Sequence, residues 1–195
     1  MSRSAPTARA TYHHGNLQAA LEDAALSLLA TQPAAKISLR EVARRAGVSH
    51  NAPYNHFGDR TALLHALGVR TMRELLEAQE RAVEQETEPV ARVRALGAAY
   101  VAYAADHAQA FALVFDPEYC PPGNPDADMA PLITRNEELL AVEVAALVQQ
   151  PGFAGRDPEA LAAGLWASVH GLAVLVMLGH LPRAAAQPAL DALIA

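Results

Sequence analysis

The chain has 195 residues, of which 52% are hydrophobic and 18% are charged, so it can bury a core and is not a disordered chain. Its net charge of -6 is unevenly distributed: residues 1–60 carry seven Lys and Arg against four Asp and Glu, whereas residues 61–195 carry eight against seventeen. The single cysteine, Cys120, excludes a disulfide scaffold, and the N-terminal residues lack the apolar run of a signal peptide, so we expect a cytoplasmic protein.

Alanine and leucine supply most of the apolar mass and strand patterns are scarce, which favours an all-α fold. A first helix is predicted over about residues 15–31, where apolar residues recur at three- and four-residue spacing before Pro33. A second, short helix begins after Ser38, which has capping-box spacing to Glu41, and it ends at Gly47.

A third helix is predicted over about residues 50–56 with Ser49 as its N-cap, and a long fourth helix follows Asp59. Pro53 departs from this pattern because it lies past the position where a helix tolerates proline without cost. We expect it to remove the first hydrogen bond of the helix and to push Ala52 away from helical angles. The alternative is that the helix starts nearer Pro53.

Beyond Pro89 the pattern stays helical, and a proline-rich loop at 117–125 is the main interruption. The change from an excess of basic residues to an excess of acidic residues at residue 60 predicts a division into an N-terminal domain, residues 1–60, and a larger C-terminal domain, residues 61–195. The later predicted helices cover about residues 90–103, 107–115, 128–150, 158–180 and 188–194.

The two short helices around Gly47 have the arrangement of a helix-turn-helix, in which the second helix enters the major groove of DNA. The excess of basic residues in 1–60 agrees with a polyanionic partner. The alternative is an ordinary three-helix bundle with a solvated polar face. The exposed donors and acceptors expected at the start of the second helix are Ser49, His50, Asn51, Tyr54 and Asn55, with Arg40, Arg44 and Arg45 on the helix before it.

The segment GVSHNAPYNHF, followed by a basic residue and leucines, resembles the signature of the TetR family of bacterial transcription repressors. The resemblance covers about 50 residues, from the first helix into the fourth. A second segment, LWASVHGLAVLVMLGHL, is similar to the stretch that marks the WHG class of TetR C-terminal domains. The residues that carry this second resemblance are Trp166, His170 and Gly171.

The resemblance implies a homodimer that binds a palindromic operator in double-stranded DNA. It implies that Tyr54 contacts phosphate, that His56 helps to fix the recognition helix, and that Arg60 supplies charge to a phosphate. The complete set of DNA-contacting residues that it implies is Ser38, Arg40, Ser49, His50, Asn51, Tyr54, Asn55, His56 and Arg60.

The resemblance also implies that the C-terminal domain encloses a small apolar effector. The candidate effector residues are Tyr100, Tyr103, Phe111, Phe115, Trp166, His170 and Met177. Ligand binding in this domain would favour a dimer geometry that no longer matches the operator. The alternative is that these residues only pack the core.

The uncharged stretch 161–181 is long enough to span a membrane, but three glycines and two histidines favour a dimer helix instead. Small residues on one face allow a second copy of this helix to approach closely. The expected dimer-interface residues are Gly164, Ala167, Gly171 and Leu178.

We expect no catalytic residues, no metal site and no cofactor. The sequence has no GxSxG, GxGxxG or P-loop motif, and Cys120 has no CxxC partner. The adjacent His13 and His14 lie in a polar arm, His50 and His56 belong to the helix-turn-helix segment, and no other His or Cys pair shows the i, i+4 spacing with a carboxylate that a zinc site prefers. The competing function is a helical ligand carrier that does not bind DNA.

Overall fold

The computed structural model describes residues 14–194, with side chains from residue 17 onward. The described part of the chain is all-α and contains no strand. Its helices, in chain order, are α1 (His14–Leu29), α2 (Leu39–Ala46), α3 (Ala52–Phe57), α4 (Arg60–Glu84), α5 (Pro89–Asp106), α6 (Ala108–Val114), α7 (Ala130–Leu147), α8 (Pro158–Met177) and α9 (Ala186–Leu193).

The predicted helices are confirmed to within a few residues at their ends. Sequence reasoning missed two short 3-10 turns, at Ala34–Lys36 and Arg183–Ala185. The predicted N-terminal arm, residues 1–13 with His13, lies outside the described residues. The predicted division at residue 60 stays a prediction.

The predicted boundaries of α2 are confirmed by its capping interactions. The Ser38 hydroxyl accepts a hydrogen bond from the Glu41 amide at 3.2 Å, which satisfies one of the amides left free in the first helical turn. Gly47 ends the helix with φ 68°, a left-handed conformation that a side chain would oppose. These two residues fix the angle at which α3 follows α2.

The start of α3 differs from the prediction. The helix begins at Ala52, and its N-cap is Asn51 rather than Ser49, whose carbonyl accepts from the Ala52 amide in a preceding turn. Pro53 therefore lies in the first turn, where amides have no intrahelical acceptor and proline costs nothing. The expectation that Ala52 leaves helical angles is wrong, and the alternative start nearer Pro53 is confirmed.

Two hydrophobic cores share helix α4. Leu63, Leu64 and Leu67 are fully buried in a first core with α1 and α2, and each contributes about 1.5–3 kcal/mol by leaving water. Further along the same helix, Met72 and Leu75 pack into a second core with α5, α8 and α9. One continuous helix thus connects the helix-turn-helix to the C-terminal helices.

Helix α6 and the loop after it also reach both cores. Leu113 and Tyr119 are buried in the first core, whereas Phe111 is buried in the second. Cys120 packs against both cores, and its sulfur lies 3.1 Å from where a Cβ would stand on Gly68. This segment is therefore a second connection between the two halves of the molecule.

Among the described helices, α8 is the one long and apolar enough to span a membrane by length and composition. Its residues Leu172 and Ala173 are buried in the second core, and Leu165 is buried against the end of α7. Its opposite face leaves Leu175 and Leu178 exposed. The helix therefore packs as one side of a protein core.

Candidate functional site

The polar residues predicted on α2 and α3 lie at the surface. Pro53 is buried beneath them, so the short helix α3 presents its polar side outward. Val48 and Phe57 are partly buried against the first core, as expected for the residues that hold α3 in place. The exposed members of the predicted set are Ser38, Arg40, Ser49, His50, Asn51, Tyr54, Asn55 and His56.

Four of these residues, Arg40, His50, Asn51 and Tyr54, line one shallow surface concavity. Their side chains make no hydrogen bond within the described part of the chain, so their donors and acceptors are available to a partner. The Asn51 carbonyl accepts from the Asn55 amide at 3.0 Å, which places the two asparagines one helical turn apart on the same side. The surface has the polar, partly basic character that the edges of DNA bases require.

Arg60 is half-buried and differs in its surroundings from the other predicted DNA contacts. Its Nε donates to the Ile37 carbonyl at 3.0 Å, and a terminal nitrogen donates to the Ala34 carbonyl at 2.7 Å. These bonds tie the start of α4 to the turn that precedes α2. The sequence carries no signal for this arrangement because the acceptors are backbone atoms distant along the chain.

A cavity of about 450 Å³ lies in the C-terminal half, enclosed by α4–α8 and the proline-rich loop. This volume falls within the range of small-molecule sites. The lining residues are mostly apolar, with a few polar groups. They are His65, Met72, Leu75, Tyr100, Val114, Phe115, Cys120, Pro121, Pro122, Gly123, Pro125, Asp126, Met129, Ile133, Asn136, Glu137, Leu140, Ala162, Ala163 and Trp166.

Of the predicted effector residues, the structure places Tyr100, Phe115 and Trp166 on the cavity wall. Tyr103 lies elsewhere, where its hydroxyl donates to the Glu74 carboxylate at 3.0 Å. Met177 packs at the edge of the second core and does not line the cavity.

The remaining two predicted residues form a layer behind the wall. Phe111 is buried and meets the Tyr100 ring edge-on at 5.3 Å. His170 Nδ1 and the Tyr100 hydroxyl are hydrogen-bonded at 2.9 Å, and the Phe115 ring lies 4.5 Å from the imidazole. Burial raises the pKa of Tyr100 and lowers the pKa of His170, so both side chains stay neutral at neutral pH.

Sequence reasoning missed the contributions of α4, α7 and the proline-rich loop to this wall. Met72 and Leu75 of α4 showed helical spacing, which is equally typical of a packed core and of a cavity wall. Met129 and Ile133 of α7 carried no stronger signal. Only the relative placement of the helices decides which apolar side chains face empty space.

His65, Tyr119 and Asp126 form a hydrogen-bonded clamp that joins α4 to the loop between α6 and α7 and to the start of α7. His65 Nδ1 lies 2.7 Å from the Tyr119 carbonyl, and His65 Nε2 lies 2.6 Å from the Asp126 carboxylate. The other oxygen of Asp126 accepts from the amides of Asp128 and Met129. The Met129 amide, followed by the Asp128 amide and His65, holds the pKa of Asp126 below its usual range against the opposing effect of burial.

The predicted dimer residues lie on the exposed side of α8. A Cβ added at Gly164 or Gly171 would meet no atom within 4 Å, so the protomer itself does not require glycine there. A Cβ added at Gly97, by contrast, would stand 3.1 Å from a methyl carbon of Leu190, so that position has no such space. An apolar groove between α8 and α9 includes Ala167 and Gly171, whereas Leu178 is exposed beyond it.

No group of three metal-ligating side chains occurs within residues described by the structure. Cys120 is half-buried, and burial followed by the nearby Asp126 and Asp116 raises the pKa of its thiol to about 11. Such a thiol is a weak nucleophile at neutral pH.

Comparisons with known proteins agree with an N-terminal helix-turn-helix followed by a C-terminal helical region. Residues 93–195, more than half of the chain, match the family described as tetracyclin repressor-like, C-terminal domain. Residues 21–67 match the family of bacterial regulatory proteins, tetR family. No curated protein matches the chain significantly.

Solved structures match nearly the whole chain. A protein of unknown function from Rhodococcus sp. RHA1 is 35% identical with a TM-score of 0.78, and the match covers 95% of this chain and 97% of that one. The TetR family transcriptional regulator PfmR from Thermus thermophilus is 20% identical, with a TM-score of 0.68 and coverage of 90% and 96%. FadR from Bacillus subtilis, solved with stearoyl-CoA, is 16% identical, with a TM-score of 0.68 and coverage of 91% and 97%. The last two likenesses show the fold alone.

Proposed function

The chain belongs to the TetR family of DNA-binding transcriptional regulators, a family without enzymatic activity, and on this premise we propose that it is a ligand-released repressor. In this proposal a cytoplasmic homodimer binds a palindromic operator, and a small apolar effector enters the cavity and weakens that binding. The Trp166, His170 and Gly171 pattern supports assignment of the C-terminal domain to the WHG class.

The observation that carries the proposal is the path of α4. This helix begins beside α3, buries Leu63 and Leu67 in the first core, and then contributes Met72 and Leu75 to the cavity wall. A shift of α4 at the cavity therefore moves the helix-turn-helix. A carrier protein has no need for such a connection, and it has no need for the exposed polar concavity on α2 and α3.

The clamp formed by His65, Tyr119 and Asp126 supports the coupling step. Tyr119 lies in the first core, whereas Asp126 fixes the start of α7, whose residues line the cavity. A ligand that displaces the loop or α7 would pull on His65 and so on α4. Ligand binding then selects one of two arrangements of the DNA-reading helices, as a population shift requires.

The exposed apolar side of α8 supports the homodimer. Leu175 and Leu178 are 42% and 66% exposed, and Leu193 of α9 is 40% exposed on the same side of the molecule as the groove. Apolar side chains exposed together in this way mark an interaction surface. A two-fold axis there would present two copies of α3 to two half-sites of DNA.

Selection of genomic DNA fragments by the purified protein tests the proposed function. We expect an enriched palindrome whose half-sites are one helical turn of DNA apart, or a multiple of it. Release of that operator by a cell extract fraction or a ligand, together with derepression of a reporter, would support the repressor mode. If no duplex is enriched, the carrier function replaces this proposal.

Size-exclusion chromatography of two glycine variants tests the dimer. Gly171→Leu should produce monomer or aggregate because the added side chain fills space that a partner helix needs. Gly152→Leu is the matched control, since its position is also open within the protomer but lies in the loop before α8. An unchanged dimer in Gly171→Leu would place the interface elsewhere.

A further inference from the structure

The charged groups of the cavity are mainly acidic. Neither lysine nor arginine occurs among the described residues that line it, and its carboxylates are Asp126 and Glu137. Asp126 is occupied by His65 and by two backbone amides. Glu137 has neither a hydrogen bond nor an ion pair with any residue that the structure describes, so its carboxylate is available to a ligand at the cavity rim.

A second polar group of the wall also offers an acceptor. The Asn136 amide nitrogen donates to the Gln79 side-chain oxygen at 2.9 Å, which leaves the Asn136 oxygen without a donor in the described structure. Tyr100 is already paired with His170. Glu137 and Asn136 therefore both offer acceptors, and these complement a ligand that donates hydrogen bonds or carries positive charge.

The aromatic side chains of the cavity favour the same kind of ligand. Phe115 and Trp166 are 41% and 50% exposed, and both are neighbours of His170, with ring centroids 4.5 Å and 6.1 Å from the imidazole. Aromatic faces that are not covered by protein attract cations through their negative electrostatic potential. Phe115 and Trp166 line the same cavity as the free carboxylate of Glu137, and together these groups favour a ligand with positive charge.

We propose that the effector is an organic cation with an apolar body, such as a lipophilic amine or quaternary ammonium compound. This inference rests on the proposed function and gives the chemical class of its effector. A carboxylate or phosphate in the cavity would lose its water and meet Glu137 with no basic side chain to compensate. The structure therefore argues against an acyl-CoA ligand, although FadR of Bacillus subtilis, which shares the fold, was solved with one.

Ligand binding can be followed through Trp166, which is the only tryptophan in the chain and lines the cavity. The probes are decyltrimethylammonium, decanol and decanoate, which share a ten-carbon chain and differ in charge, together with stearoyl-CoA. Each is titrated below its micelle-forming concentration, and calorimetry provides a second measure of affinity. We expect decyltrimethylammonium to bind about tenfold more tightly than decanoate, with decanol between them.

Two neighbouring variants separate a specific carboxylate effect from the overall negative charge of the protein. Glu137→Gln should weaken decyltrimethylammonium binding by about twofold to fivefold, as expected for a solvent-exposed ion pair, and should leave decanol unaffected. Glu138→Gln, the matched control, removes an exposed carboxylate that lies next in sequence but outside the cavity, and should change neither.

The inference is overturned if decanoate or stearoyl-CoA binds as tightly as decyltrimethylammonium or more tightly. It is also overturned if decyltrimethylammonium does not bind at millimolar concentration. An equal loss in Glu137→Gln and Glu138→Gln also overturns it. These outcomes leave the DNA selection untouched, so an enriched palindrome without cation binding removes only the effector class. Cation binding by a protein that enriches no duplex removes the proposed function instead.

Discussion

The proposed DNA-reading surface and the proposed effector cavity are built in opposite ways. The surface comes from one continuous stretch, from Ser38 to Asn55, whose polar side chains point outward from two short helices. The cavity wall draws on residues from His65 to Trp166, contributed by five helices and a loop. A local motif therefore fixes the first region, whereas the second exists only because distant helices pack together.

The largest expected effect concerns the packing that surrounds the cavity. Glu143 is buried and forms a two-pronged ion pair with Arg92, with both distances 2.7 Å. Glu143→Ala should lower the free energy of unfolding by about 3 kcal/mol because the Arg92 guanidinium loses both carboxylate bonds and keeps only its bonds to the Val83 and Glu86 carbonyls. Urea denaturation at fixed protein concentration measures this loss. Glu138→Ala, which removes an exposed carboxylate, should change stability little, and equal losses in the two variants would contradict the role of the buried pair.

The next effect concerns base reading on the local surface. Asn55→Ala should relax the preference at one base pair in each half-site by about 1–3 kcal/mol, since asparagine can bind adenine through two hydrogen bonds. Non-specific binding should stay nearly intact. The measurement is selection of operator variants, with Asn51→Ala compared in parallel. If Asn55→Ala returns the same operator with the same stringency, the reading residues are His50 and Asn51.

The connection between the two regions gives the third prediction. His65→Ala should weaken the effect of the ligand on operator affinity by more than it weakens ligand binding itself, because His65 lines the cavity and α4 also loses its bonds to Tyr119 and Asp126. Couplings between sites are typically about 1–3 kcal/mol, so we expect a loss within that range. Operator affinity measured with and without decyltrimethylammonium gives the coupling. His107→Ala, an exposed histidine away from the cavity, should leave the coupling unchanged.

Salt dependence separates a phosphate contact from a structural arginine. Arg40→Ala should reduce the slope of log affinity against log salt by about two, because the homodimer loses one phosphate contact in each half-site. Arg60→Ala should lower the melting temperature through the loss of its bonds to Ile37 and Ala34, while the slope changes less. A larger slope change in Arg60→Ala than in Arg40→Ala would indicate that Arg60 contacts a phosphate, as the family resemblance implies.

The smallest effect is a pH dependence of stability that comes from His170, behind the cavity wall. Burial lowers the pKa of His170 in the folded protein. In the unfolded chain the pKa of this histidine is about 6.5, so below that pH the unfolded chain binds a proton at His170 more readily than the folded chain does. Stability should therefore fall as the pH falls through this range. The loss in melting temperature between about pH 7.5 and about pH 5.5 should be smaller in His170→Asn than in the unaltered protein. An identical loss would show that other groups carry the acid sensitivity.

Several features of the fold were predictable because they depend on residues close in sequence. The Ser38 cap, the Gly47 end of α2 and the start of α4 after Asp59 are all confirmed, and each involves backbone atoms within one turn. Pro53 was harder to interpret because its effect depends on where the helix begins. The chain resolves the conflict by starting α3 at Ala52, which no single residue specifies.

The sequence by itself determined the all-α class, the helix-turn-helix and the exposed polar face of α3, because helical spacing and capping are local properties. Tertiary structure alone decided that Arg60 binds distant carbonyls, that Tyr103 turns toward Glu74, and that His65 meets Asp126. It also decided which apolar residues line a cavity, since a leucine that faces a void and one that faces a neighbour follow the same helical pattern. The physical reason is that packing between elements depends on relative position, which sequence periodicity does not encode.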